Sequence, residues 1–110
     1  MTGNEYQKAA MRTAGTFNKK ALLVNGVMGL NGEAGECIDA VKKHHFQGHP
    51  LDLEHMAKEL GDVAWYLAVT AYAIGYNLDE IFQMNVDKLL ARYPDGFDAK
   101  RSLNRLAGDK

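Results

Sequence analysis

Two prolines in 110 residues, Pro50 and Pro94, narrow the fold more than any other feature. A proline removes a backbone donor and its ring collides with the preceding helical turn, so helices run where prolines are absent and stop where they occur. Both prolines stand in phrases that end helices, "QGHP" and "RYPDG". Between and before them the apolar residues recur at i, i+3, i+4 and i+7, and no segment alternates with a period of two between turns. The pattern predicts a first short helix at about Asn4 to Thr13 and a second from about Lys20 to Gln47. A third is predicted after Asp52 and reaches Gly75, and a fourth follows Asn77 and ends before Pro94. The class is therefore all-α, and 110 residues, 46% hydrophobic and 25% charged, bound it to one domain over 1–110. The tail "FDAKRSLNRLAGDK" carries few apolar residues, so about 98–110 is expected to be an arm or a short docked segment.

Net charge is −1 and the pI is near 6.4, so no global basic field draws the chain onto a nucleic-acid polymer or an anionic membrane. The single cysteine, Cys37, cannot close an internal disulfide and lies on an apolar face, where packing is its expected role. The opening "MTGNEYQKAAMRT" lacks the apolar stretch of a signal peptide, and no run approaches 18 apolar residues. A soluble, cytoplasmic protein is expected.

Helical projection gathers Leu23, Val27, Leu30, Ala34, Cys37, Ile38 and Val41 of the second helix into a stripe expected to face the core. On the third helix Leu53, Met56, Leu60, Val63, Ala64, Leu67, Ala71 and Ile74 form the matching stripe. The run "VAWYLAVTAYAI" is apolar nearly all round, more than a small monomeric bundle covers, which predicts an oligomer.

About a third of a turn from each stripe lies a pair of carboxylates, Glu33 and Glu36 in "EAGE" and Glu59 and Asp62 in "ELGD". Residues three apart on a helix are neighbours, and helices joined by a short turn pack antiparallel, so both pairs can converge. Four like charges in one patch repel and raise one another's pKa values unless a cation neutralises them. An all-oxygen donor set suits Mg²⁺ or Mn²⁺, and the absence of an E-x-x-H pair disfavours iron. Either pair alone reads as an ordinary solvated face; two pairs with the same offset, each enclosing a glycine, favour a metal site. Gly26, Gly29, Gly32 and Gly35 recur every third residue, each at a cost of about 1 kcal/mol against alanine in a helix, so close approach or ligand space must offset them. His44, His45, His49 and His55 cluster near the turn and are read as surface histidines rather than zinc ligands.

The stretch "GLNGEAGECIDAVKKHHFQGHPLDLEHMAKELGDVAWYLA", with "MNVDKLLARYPDGF" and the flanks "YQKAAMRT" and "KRSLNR", resembles the MazG-like nucleoside triphosphate pyrophosphohydrolases. That all-α superfamily also includes dimeric dUTPases and phosphoribosyl-ATP pyrophosphatases. The resemblance implies a four-helix MazG-like bundle assembled as a homodimer or a dimer of dimers. It implies that Glu33, Glu36, Glu59 and Asp62 hold Mg²⁺, and that an NTP or dNTP is hydrolysed to the monophosphate and pyrophosphate, in the manner of house-cleaning enzymes. Glu33 is the residue assigned to orienting the attacking water. Asn85, Lys88 and Arg92, on one face of the fourth helix, are implied as phosphate contacts, with Lys43 and Tyr93 as further candidates. Trp65 is a candidate for stacking on the base. The rival reading is a catalytically silent helical module that binds nucleotide, metal or a partner protein; the presence of all four motif acids argues against it.

Overall fold

The structure, a computed structural model, describes residues 1–15 and 17–110. Five helices lie among the described residues: α1 (Gly3–Met11), α2 (Lys19–Gln47), α3 (Leu53–Ala73), α4 (Leu78–Arg92) and α5 (Ala99–Leu103). Each begins at a side chain that can accept from free amides of the first turn. Thr2, Asn18 and Asp52 receive the N–H groups of Glu5, Ala21 and His55, and Asn77 forms a reciprocal capping box with Glu80. The stops are equally local: α2 ends at Gly48 in the left-handed region (φ 74°), two residues before Pro50, and α4 ends at Tyr93, just before Pro94. The boundaries expected from the sequence for α1 to α4 agree to within two residues at every end, whereas α5 lies in the tail expected to be an arm or a short docked segment. No helix is long and apolar enough to cross a membrane.

The centre of the fold is the antiparallel pair α2 and α3. Gly26 meets Thr70, Gly29 meets Tyr66, and Glu33 and Glu36 meet Glu59, so one register runs along the pair. Helix α1 lies on α3, and α4 packs on α1 and α3. Ala10, Ala68, Ala71 and Leu78 form one buried cluster; Ala14, Leu22 and Val69 form another, and Trp65 packs against both.

Here the structure corrects the predicted core. The buried residues of α2 are Leu22 and Gly26, whereas Val27, Ile38 and Val41 of the expected core stripe are exposed, Ile38 by 68%. On α3, Leu53, Leu60 and Ile74 are likewise exposed. Periodicity identifies an apolar stripe but not its partner. In this chain α2 turns its glycine-and-acid stripe toward α3, because Gly26 and Gly29 leave no Cβ in the way. An added Cβ at Gly29 would overlap the Tyr66 ring; at Gly26 it would overlap the Thr70 hydroxyl and come within 3.3 Å of Thr70 Cα. The middle of α3, expected to be uncovered, is instead covered by α1 and α2. Besides Leu53, Leu60 and Ile74 of α3, uncovered apolar surface lies on α2 and on α4, where Phe82, Met84, Val86 and Leu90 are exposed. The radius of gyration is 17.0 Å, against about 13 Å for a compact domain of this length. A single chain is thus more open than its composition would require.

Gln7 ties three elements together from the inside. Its side-chain amide donates to the carbonyls of Ala68 and Tyr76 and accepts from the backbone N–H of Leu78, all at 3.1 Å. It thereby ties α1 to α3 and to the turn after it, and satisfies a free amide at the start of α4. Gln7→Ala leaves the buried N–H of Leu78 without its acceptor and removes the donor from the Ala68 and Tyr76 carbonyls. It is expected to cost roughly 1–3 kcal/mol, read as a lowered denaturation midpoint, and an unchanged midpoint would mean that water replaces the amide.

Segment 98–110 is more than a loose arm. After the short α5 it folds back on α4, where Asp109 accepts two hydrogen bonds from the Arg92 guanidinium, at 2.8 and 2.7 Å.

Candidate metal centre

The acid pairs converge because the α2–α3 register places them opposite each other. Carboxylate oxygens of Glu33, Glu59 and Asp62 all lie within 4.8 Å of one another. Glu36, one turn along α2 from Glu33, faces Glu59 as well: the neighbouring Glu36 carboxylate, then burial, then Glu33 push the Glu59 carboxyl up to about 7. Glu59 is 8% exposed, and its Oε2 atom is buried with no hydrogen-bond partner among the described residues. The other oxygen, Oε1, lies 3.4 Å from His55 Nε2. An orphaned buried carboxylate oxygen is costly, and here it sits among three further carboxylates. The donor set of Glu33, Glu59 and Asp62, all oxygen with no thiolate or imidazole among them, is of the kind that would suit a hard divalent cation. Space is also present: a Cβ added at Gly32, Gly35 or Gly61 would meet no described atom within 4 Å.

Two neighbours of the site were not assigned a role from the sequence. His55 precedes Glu59 by four residues on α3, a spacing visible in the sequence, yet its place in a cluster of four histidines concealed it. Tyr6, on α1, reaches the edge of the site, where its hydroxyl donates to the Gly61 carbonyl at 3.4 Å. Burial, followed by the Asp62 charge, raises its pKa. No short-range pattern links Tyr6 to Asp62. The remaining histidines occupy surface positions; His44 Nδ1 lies 2.8 Å from the His49 carbonyl and helps to fasten the turn.

Beside Glu36 opens a cavity of about 430 Å³ at the turn end of the hairpin, walled by Asp39, Lys43, His49, Asp52 and His55. Lys43 pairs with Asp39 at 2.9 Å, and this contact holds the Asp39 carboxyl below its ordinary range. The α4 residues lie elsewhere. Lys88 and Arg92 line a second cavity, about 500 Å³, between α4 and the C-terminal segment, and Asn85 is exposed on the same helix. One chain therefore gathers Glu33, Glu59 and Asp62, with Glu36 beside Glu59, while Lys88 and Arg92 line a cavity that none of these acids borders. Trp65 is engaged in packing: its indole N–H donates to the Thr13 hydroxyl at 3.0 Å, and its ring meets Tyr66 edge-on. That arrangement anchors the end of α1 to α3. Tyr93 caps α4 and lies against Phe97, with ring centres 5.3 Å apart, and under the Arg92 guanidinium.

Comparison with known proteins agrees with this geometry. The MazG nucleotide pyrophosphohydrolase domain matches residues 25–97, the stretch that holds all four acids and the α4 cations. Gene 37 protein of Mycobacterium phage L5 is 37% identical over 73 residues, which make up 63% of this chain and 64% of that protein. No solved structure matches the chain. With the larger part of its length matched, and with Glu33, Glu59 and Asp62 of two antiparallel helices gathered together, the chain belongs to the MazG nucleotide pyrophosphohydrolase family.

Proposed function

We propose that the protein is a Mg²⁺-dependent nucleoside triphosphate pyrophosphohydrolase, with Mn²⁺ able to substitute, that cleaves an NTP or dNTP to the monophosphate and pyrophosphate. The observation that carries this reading is the buried, unpartnered Oε2 of Glu59 inside an all-oxygen cluster. Glu33, Glu36, Glu59 and Asp62 would hold the cation. A bound Mg²⁺ neutralises triphosphate charge and makes a bound water easier to deprotonate. Glu33, half-buried at the edge of the cluster, orients the attacking water through its free carboxylate edge. Asn85, Lys88 and Arg92 bind phosphate oxygens, Arg92 through its planar fork. Lys43, at the cavity beside Glu36, offers a further cation once it leaves Asp39. Since the cavity lined by Lys88 and Arg92 is bordered by none of the four motif acids of the same chain, a second copy supplies those cations, in a homodimer or dimer of dimers joined through the exposed apolar faces of α2 and α4.

Pyrophosphate release from a panel of NTPs and dNTPs, with and without Mg²⁺, tests the activity. Release is expected only with metal, and Glu36→Gln and Asp62→Asn should abolish it. Equal inertness of wild type and variants under every metal would instead identify a silent nucleotide- or metal-binding module. Size exclusion with light scattering tests assembly, and a stable monomer would refute it.

The raised carboxyl of Glu59 sets a pH dependence. Its folded value near 7 exceeds the ordinary 4.5, so between those values the folded state binds more protons than the unfolded one. The metal-free fold should therefore lose stability as pH rises from about 4.5 to about 7. Metal competes with that proton, so Mn²⁺ affinity should rise with pH, by up to about tenfold per unit below 7, and level off above it. Mn²⁺ titration followed by electron paramagnetic resonance between pH 5.5 and 8.5 gives the slope; a flat profile would show that Glu59 is not a ligand.

A further inference from the structure

The cavity between α4 and the C-terminal segment carries a charge imbalance that packing does not explain. Five cationic side chains line it, those of Lys88, Arg92, Arg101, Arg105 and Lys110, and Asp109 is the one acidic residue on its wall. Asp109 takes both prongs of the Arg92 fork, and the two side chains are only 15% and 10% exposed. A bidentate carboxylate on a guanidinium occupies the position in which two phosphate oxygens would bind. Arg92 first, with Arg105 and Lys88 adding to it, holds the Asp109 carboxyl below its ordinary range, so the charges of α4 and of the segment after α5 converge on this one group. The volume, about 500 Å³, lies within the usual ~300–1,000 Å³ of small-molecule sites.

We propose that this cavity is an oligophosphate-binding site and that Asp109 is a tethered competitor, a carboxylate that occupies Arg92 until a di- or triphosphate group displaces it. The proposal rests on the phosphate role given above to Lys88 and Arg92 and adds to it the arm residues Arg101, Arg105 and Lys110, together with a regulatory contact. The arm lies beyond the segment matched to the family domain. Displacement exchanges one carboxylate for a ligand of higher charge on the same fork and leaves four further cations around it, so the exchange favours polyanions over single anions. A ligand that binds only the open arrangement has its apparent affinity reduced by the fraction of molecules in which the arm is open.

Inorganic pyrophosphate titrated calorimetrically into the full chain in EDTA is the test. Without metal the acid cluster repels the anion, and no hydrolysis is needed for the readout. Asp109→Asn is expected to bind pyrophosphate about tenfold more tightly than wild type, because the competitor is removed. Asp109→Glu, which keeps a carboxylate, should bind as weakly as wild type, and the double variant Arg92→Gln, Asp109→Asn should lose the gain. Circular dichroism melts identify any variant that fails to fold, and the comparison of Asn with Glu then decides. A parallel titration with dATP separates sources: a gain shared by both ligands marks the phosphates as the recognised group, and a gain for dATP alone assigns the site to nucleotide phosphates. The proposal is overturned if Asp109→Asn binds neither ligand more tightly than wild type, or if the double variant binds as tightly as Asp109→Asn. Loss of hydrolysis with these affinities intact would count against the enzymatic reading only.

Discussion

Glu59→Gln should move activity and metal-free stability in opposite directions. Pyrophosphate release in Mg²⁺ is expected to fall by about two to three orders of magnitude, since the metal is asked to supply several kcal/mol of charge stabilisation and each 1.36 kcal/mol is a factor of ten. In EDTA at pH 8 the same substitution should raise the melting temperature. The reason is local: Glu59 is buried, its Oε2 has no partner among the described residues, and Glu33 and Glu36 repel its charge. A glutamine amide carries no charge and can donate to those carboxylates. The gain should fade toward pH 5, where the wild-type carboxyl, shifted to about 7, is itself protonated. Melting curves at pH 5 and 8, each with EDTA or excess Mg²⁺, separate the effects; a variant less stable than wild type at pH 8 in EDTA would show that the cluster is not strained without metal.

The glycines of α2 should divide into two groups. Gly26→Ala is expected to lower the melting temperature by roughly 5–10 °C, the consequence of a net loss of about 1–2 kcal/mol. The added methyl would press on Thr70, including its backbone, so α3 itself must move. That overpacking exceeds the helix-propensity gain of about 1 kcal/mol. At Gly29 the nearest atoms to an added methyl belong to the Tyr66 ring, a side chain rather than backbone, so a smaller loss is expected. At Gly32 and Gly35 the methyl meets no described atom, and alanine should stabilise the isolated chain by about 1 kcal/mol. Equal behaviour of all four would refute the α2–α3 register described above. A Gly32→Ala protein that folds well and releases no pyrophosphate would show that the open space is used by a ligand or by a second copy.

Much of this molecule was readable as a string of residues. Helix ends were legible because their causes are local: Asn18, Asp52 and Asn77 cap starts, and Gly48 and Pro94 mark stops, each within a turn of the boundary it sets. The convergence of Glu33, Glu59 and Asp62 was legible for a related reason, since spacing within a helix and a short antiparallel turn nearly determine it. The partner of each face was not. Leu60 and Ile38 look like core residues by period and are 58% and 68% exposed, because the closeness of α2 to α3 is decided by which side lacks Cβ atoms. Tyr6 beside Asp62, Gln7 between α3 and α4, and Asp109 on Arg92 are pairings across 17 to 71 positions, or between whole helices, and no periodic signal spans them.

The amino-acid sequence by itself determined that the chain is helical, where α1 to α4 begin and end, and that Glu33, Glu59 and Asp62 can converge. The tertiary structure alone decided that Gly26 and Gly29 face α3, that the Glu59 Oε2 atom is buried with no partner among the described residues, and that Arg92 is held by Asp109. The physical reason is range: capping, propensity and helical spacing act over a few residues, whereas close approach, desolvation and ion pairing depend on which distant side chains the closed fold brings into contact.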